Sequence, residues 1–126
     1  MLDHVSVAVR DLRASGGAYD LVLGALGLRR LVERPATLGY GKKYPEFWLN
    51  ARPDLTPLPP GTGIHICLRA PDEDAVRAFH HHALEAGWTD AGAPGPRKGE
   101  MTMYYGAFVQ DSDGNKLEAA TFPRKP

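Results

Sequence analysis

The chain states one pattern twice. Residues 3–12 read DHVSVAVRDL and residues 64–73 read IHICLRAPDE; in each copy a His opens an alternating apolar run, an Asp follows seven residues later, and a helix-like pattern with an aromatic residue, Tyr19 or Phe79, comes next. His4 and His65 stand 61 positions apart in a chain of 126 residues. A repeat of about half the chain length restricts the fold to two copies of one supersecondary unit.

Strand alternation gives the repeat chemical content. Successive side chains on a strand point to opposite faces, so Val5, Val7 and Val9 share one face while His4, Ser6 and Ala8 share the other. In the second copy Ile66, Leu68 and Ala70 are expected under a helix, leaving His65, Cys67 and Arg69 on the opposite face. Two equivalent strands thus aim one imidazole each away from the helix-covered core.

The rest of each half follows the same plan. Asp11 can cap a helix in which Ala18, Tyr19, Val22, Leu23 and Leu26 recur at helical spacing, Gly27 stops it, and Gly16-Gly17 weakens it. Strand-like runs follow at Leu28 to Val32, Thr37 to Gly41 and Glu46 to Asn50. The run Arg52 to Gly63 holds four prolines and two glycines in twelve residues and cannot be a regular element. The first module is therefore about 1–52, the linker 53–62, and the second module about 63–126. The second module should carry a strand over 64–70, a helix opened by Asp72 or Asp74 and closed by Gly87, a strand near Trp88, and a loop through Ala93 to Pro96. A hairpin of Met103 to Gln110 and Asn115 to Thr121, turned at Asp111 to Gly114, completes it. The order βαβββ twice predicts an α+β fold, a curved mixed sheet forming a cup with the helices outside.

In the final strand Leu117 and Ala119 share the core face, which puts Glu118 on the cup face with His4 and His65. Two imidazoles and a carboxylate suit Fe(II), Mn(II), Ni(II), Co(II) or Zn(II), although spacing alone does not select these three. The sequence resembles the vicinal oxygen chelate superfamily, which includes glyoxalase I, bleomycin-resistance proteins, fosfomycin-resistance enzymes and extradiol dioxygenases. The resemblance rests on DHVSVAVRDL, the run Tyr19 to Gly24, Leu26 to Leu28, GIHICLRAPD and FVQDSDGNKLEAA, whose DSDG departs from the family's usual D-P-D-G. It implies that His4, His65 and Glu118 are the metal ligands. It implies an enzyme that chelates a small oxygenated substrate and acts by electrophilic catalysis, the reaction unassigned. The fourth ligand of the glyoxalase I type falls at or beside Trp48, which can neither bind the ion nor take a proton, so that activity is disfavoured.

Other residues complete the expected cup. With a four-residue turn in the last hairpin, Ala107 lies opposite Glu118 and Tyr105 faces the cup as a candidate proton donor; a slip of one residue gives that place to Tyr104. Trp48, Tyr40, Arg69 and Tyr104 are the expected substrate-pocket residues, with Arg97 a further candidate for an anionic group. His80-His81-His82 cannot converge on one ion from consecutive helix positions and reads as a solvated face, and Cys67 reads as a small buried hydrophobe.

With 15 basic and 15 acidic residues the chain gives no electrostatic case for nucleic acid or an anionic membrane. A single cysteine and the absence of a leader-like or membrane-spanning run point to the cytoplasm. The partners expected are a small molecule and a second copy in a homodimer, with the cup either within one chain or exchanged between two. The alternative function is a metal-free drug- or metabolite-binding protein of the bleomycin-resistance kind.

Overall fold

A computed structural model describes residues 1–122. The elements run β1 (Val5–Val9), α1 (Leu12–Gly24), β2 (Arg29–Arg34), β3 (Thr37–Gly41), β4 (Phe47–Ala51), β5 (Ile66–Arg69), α2 (Glu73–Glu85), β6 (Thr89–Lys98), β7 (Met103–Gln110) and β8 (Lys116–Thr121). The βαβββ order thus occurs twice. Each copy forms its own four-stranded mixed sheet, ordered β1-β4-β3-β2 and β5-β8-β7-β6. In both sheets the outer pair, β1 with β4 and β5 with β8, is parallel and the remaining pairs are antiparallel.

The helices begin and end alike because the same residue types recur. The carboxylates of Asp11 and Asp72 accept the amides of Ala14 and Ala75, satisfying first-turn donors that have no partner inside the helix. At the other end Gly27 and Gly87 adopt φ +86° and +85°, and the following residues close back, Leu28 N–H on Leu23 and Trp88 N–H on Ala83. A left-handed residue is needed there, which glycine supplies without a Cβ clash. The Gly16-Gly17 pair is accommodated in α1. A Cβ at Gly16 would lie 2.7 Å from both Arg30 Nη2 and Leu38 Cδ1, so Gly16 lets α1 approach its sheet closely.

Each helix covers one face of its own sheet, and the two helices pack on each other. One continuous apolar core results, drawn from both halves and including Val9, Tyr19, Leu23, Leu49, Val76, Phe79, Val109 and Leu117. Across the seam the Tyr19 ring meets Trp88 edge-on at 4.7 Å. The seam also has a polar tie. The Tyr19 hydroxyl donates to buried Asp111 at 2.6 Å, and Asn115 Nδ2 donates to both Asp111 and the Ala8 carbonyl. Arg10 bonds Asp113 through its amide and its Nε. Burial pushes the Asp111 carboxyl above its usual range, against the opposing pull of the Tyr19 and Asn115 bonds.

Three expectations are corrected. Ala93 to Pro96 is not a loop but part of β6, which sits at the outer edge of its sheet where proline's missing N–H is tolerated. Asn115 belongs to the last turn, not to β8: its amide donates to Asp111 Oδ1 and its carbonyl accepts the Asp111 amide. His80 is buried rather than solvated, its Nε2 3.0 Å from Asp90 Oδ1.

Candidate functional site

The faces left uncovered by the helices carry the candidate residues. On the second sheet β5 turns His65, Cys67 and Arg69 outward, as strand alternation requires, while Ala70 is buried on the helix side. Cys67 is exposed, not buried as expected of a lone cysteine. β8 lies beside β5 with Cys67 opposite Glu118. Glu118 is on the open face yet only 4% exposed, because its neighbours close over it.

Those neighbours fix both carboxylate oxygens. His65 Nε2 lies 3.2 Å from Oε1, and the Tyr104 hydroxyl donates to Oε2 at 2.7 Å. Burial and this bond push the Tyr104 phenol up to about 12, so it stays protonated as a donor at neutral pH. Gly106 makes the bond possible: a Cβ there would stand 2.9 Å from the Tyr104 ring and 3.3 Å from Glu118 Oε2. Phe108, directly across from Glu118 in the β7–β8 ladder, walls the site, with the His65 ring 5.7 Å from its centroid.

The ladder also corrects the tyrosine assignment. Gln110 pairs with Lys116, leaving five residues in the turn rather than four, so Phe108 and not Ala107 faces Glu118. Tyr105 therefore points into the helix-covered core, 8% exposed, with its hydroxyl accepting a bond from Arg77. Tyr104 takes the open-face position. Tyr40 is likewise a core residue, not part of an open-face lining: it is fully buried and its hydroxyl donates to Asp20 at 2.7 Å. Burial and the Asp20 carboxylate hold its phenol well above the ordinary range.

On the first sheet Trp48 does face outward, half-buried, between Ser6 on β1 and Gly39 on β3, with the Arg34 guanidinium 5.7 Å from its ring. His4 precedes β1, exposed and paired with Asp3 at 2.8 Å. Among the described residues no three His, Cys, Asp or Glu side chains gather around one point. A single chain therefore brings together His65 and Glu118 but not His4. Arg69 lies over the Phe122 ring at 4.6 Å on the same face as Glu118.

The donor chemistry of the His65–Glu118 pair suits a divalent ion. Two bonds of about 2.0–2.2 Å meeting between a right and a tetrahedral angle span roughly 2.8–3.6 Å, and the observed separation is 3.2 Å. Phe108 and Lys116 were not among the site residues expected from sequence. Lys116 shares the parity of Glu118 in β8 and was legible from alternation; Phe108 required the length of the turn.

A family model described as the Glyoxalase/Bleomycin resistance protein/Dioxygenase superfamily matches residues 1–119. A glyoxalase/bleomycin resistance protein from Albidiferax ferrireducens T118 superposes with a TM-score of 0.85 at 31% identity, covering 97% of this chain and 99% of that one. At the level of fold, the chain is also similar to the fosfomycin resistance protein FosX from Mesorhizobium loti, with a TM-score of 0.69, 19% identity, and 98% and 92% of the two chains covered. A glyoxalase/dioxygenase from Nostoc punctiforme gives 0.71 at 20% identity, with the same coverage of 98% and 92%. Comparison with curated protein sequences gives no match. No helix among the described residues is long and apolar enough to cross a membrane.

Proposed function

The chain belongs to the Glyoxalase/Bleomycin resistance protein/Dioxygenase superfamily, and from that premise we propose that it is a divalent-metal-dependent enzyme acting on a small oxygenated substrate. The observation that carries the proposal is the His65–Glu118 pair, an imidazole and a carboxylate 3.2 Å apart on an open sheet face. His65 and Glu118 would hold the ion, Fe, Mn, Ni, Co or Zn, with His4 of a second copy as third ligand. That ion, when bound, supplies Lewis acidity toward a substrate oxygen.

The chain's own residues prepare the site. Tyr104 occupies Oε2 of Glu118 and leaves Oε1 toward His65, which fixes the carboxylate's rotamer. Its neutral hydroxyl is also the nearest proton donor to that carboxylate. Phe108 on one sheet and Trp48 on the other supply apolar walls that exclude water. Trp48 offers neither a metal ligand nor a proton acceptor, which argues against proton transfer of the glyoxalase I type at that position.

The same geometry supports a homodimer. β1 and β5 are edge strands of separate sheets, and His4 stands apart from the other two candidates, so a cup exchanged between copies would unite them. The exposed free thiol of Cys67 suits a reducing cytoplasm. The rival reading is a metal-free binding protein, favoured by the Trp48 and Arg34 surface, which can stack a flat ligand.

Elemental analysis of untagged protein separates the two. About one divalent ion per chain, lost in His65→Ala/Glu118→Ala, supports the enzyme; no ion after incubation with all five metals sinks it. Mixing His4→Ala chains with Glu118→Ala chains tests the exchange, since a hybrid dimer regains one intact cup only if the ligands come from different copies.

A further inference from the structure

Beside the His65–Glu118 pair lies a cavity of about 260 Å³ whose wall is the end of the linker, Gly61 to Ile64, together with His65, Gln110, Gly114 and Lys116. Its chemistry is one-sided. No carboxylate lines it, and Lys116 brings a full positive charge. Lys116 stands two residues before Glu118 on the same face of β8, about 7 Å along the strand. Its ammonium rests 5.1 Å from the Phe108 ring centroid and has no ion-pair partner among the described residues. The backbone adds donors. The amides of Gly61 and Gly63 have no protein acceptor among the described residues, and both glycines adopt left-handed backbone, at φ +81° and +85°. Free N–H groups at left-handed turns favour anions. The chain as a whole is neutral, so this concentration of positive charge and donors is local to the site.

We infer that the cavity takes an anionic group of the substrate, a carboxylate or a phosphate, with Lys116 as its charge partner and the Gly61 and Gly63 amides and the Gln110 carboxamide as hydrogen-bond donors. The inference rests on the proposed reacting centre at His65 and Glu118 and specifies it: the substrate is a small organic acid whose oxygenated end reaches that pair while its charge sits beside the linker. The linker thereby becomes part of the binding site rather than a mere connection. Lys116 acts by direct charge contact, which an arginine can replace and a glutamine cannot.

The test is an amide NMR titration of the full chain with inorganic phosphate and, separately, with acetate at constant ionic strength. Saturable shifts at Gly61 and Gly63 are expected, weakened at least tenfold in Lys116→Gln, restored to within about threefold in Lys116→Arg, and unchanged in the exposed control Lys43→Gln. Whichever anion saturates at the lower concentration assigns the group. Equal titration of wild type and Lys116→Gln, or shifts that never saturate, would overturn the inference. Failure of the two proposals is distinguishable: a protein that takes no metal but binds the anion through Lys116 counts against the metal reading alone. A protein that takes metal while Gly61 and Gly63 ignore both anions counts against this one alone.

Discussion

Ser6 pairs with Trp48 in the first sheet, and Cys67 pairs with Glu118 in the second. The two pairs are equivalent: each joins the first strand of a module to its last, two residues after a histidine. One position therefore holds a carboxylate in the second module and an indole in the first. The backbone repeats, but the neighbours have been fitted to different side chains. Beneath Trp48 lies Gly39, where a Cβ would come within 2.9 Å of the indole; across from Glu118 lies Phe108. The scaffold is symmetric and the chemistry is not, which concentrates the charged donors on one sheet and an aromatic wall on the other.

The sharpest way to break this comparison is to measure metal affinity. Glu118→Ala is expected to weaken binding a hundredfold or more, since losing even a supporting residue of a metal site costs about 10–100-fold; Trp48→Phe should leave affinity within about twofold by competition titration. Comparable losses in both variants would mean that the first module also supplies part of the metal site. The helices differ next. Tyr19 and Phe79 are both buried, but only Tyr19 reaches across the seam to Asp111. Tyr19→Phe leaves that carboxylate short of a donor and should cost about 1–3 kcal/mol in urea unfolding. The same carboxyl gives a pH signature. Its folded pKa lies above the unfolded one because burial disfavours the charge. The folded state therefore holds the proton more tightly, and this group's contribution falls as pH rises through the window above the unfolded carboxylate value. The stability of wild type relative to Asp111→Asn should accordingly increase as pH drops from neutral toward 4.

A smaller effect sharpens the comparison within α1, which carries glycines that α2 lacks. Gly17 is exposed with open space where a Cβ would stand, so Gly17→Ala should stabilise by about 1 kcal/mol. Gly16→Ala should destabilise, because Arg30 and Leu38 must move away. Thermal unfolding of the two variants should shift in opposite directions.

Much of this was legible in the sequence, for identifiable reasons. The repeated His and the strict alternation after it fixed the outward faces of β1 and β5, and Leu117 and Ala119 did the same for Glu118. Alternation says nothing about how many residues a turn consumes. Asn115 looked like the start of a strand, but its side chain and backbone both bond Asp111 and draw it into the turn. That one residue moved Tyr105 into the core and Tyr104 to the site. Tyr40 was misleading because an amphipathic residue can be buried whenever its hydroxyl finds an acceptor, here Asp20 and the Gly16 carbonyl. The prolines of β6 hid a strand whose edge position could not be known before the sheet order was. The separation of His4 from the other two candidates depends on how the modules dock, through helices rather than strand edges, and no local pattern encodes that.

The polar tie across the seam carries a consequence for synthesis. Asn115 reaches Ala8 across 107 positions of sequence, and Arg10 reaches Asp113 across 103. While the chain is still emerging from the ribosome, β1 and α1 are made long before the turn that locks them. At about 5–20 residues per second the first module waits several seconds for its partner, with the seam faces of Tyr19 and α1 uncovered. The nascent first module is thus the stage at which a holdase would find most to bind, and substitutions in the last turn should reveal themselves as lost soluble yield before they appear as lost activity.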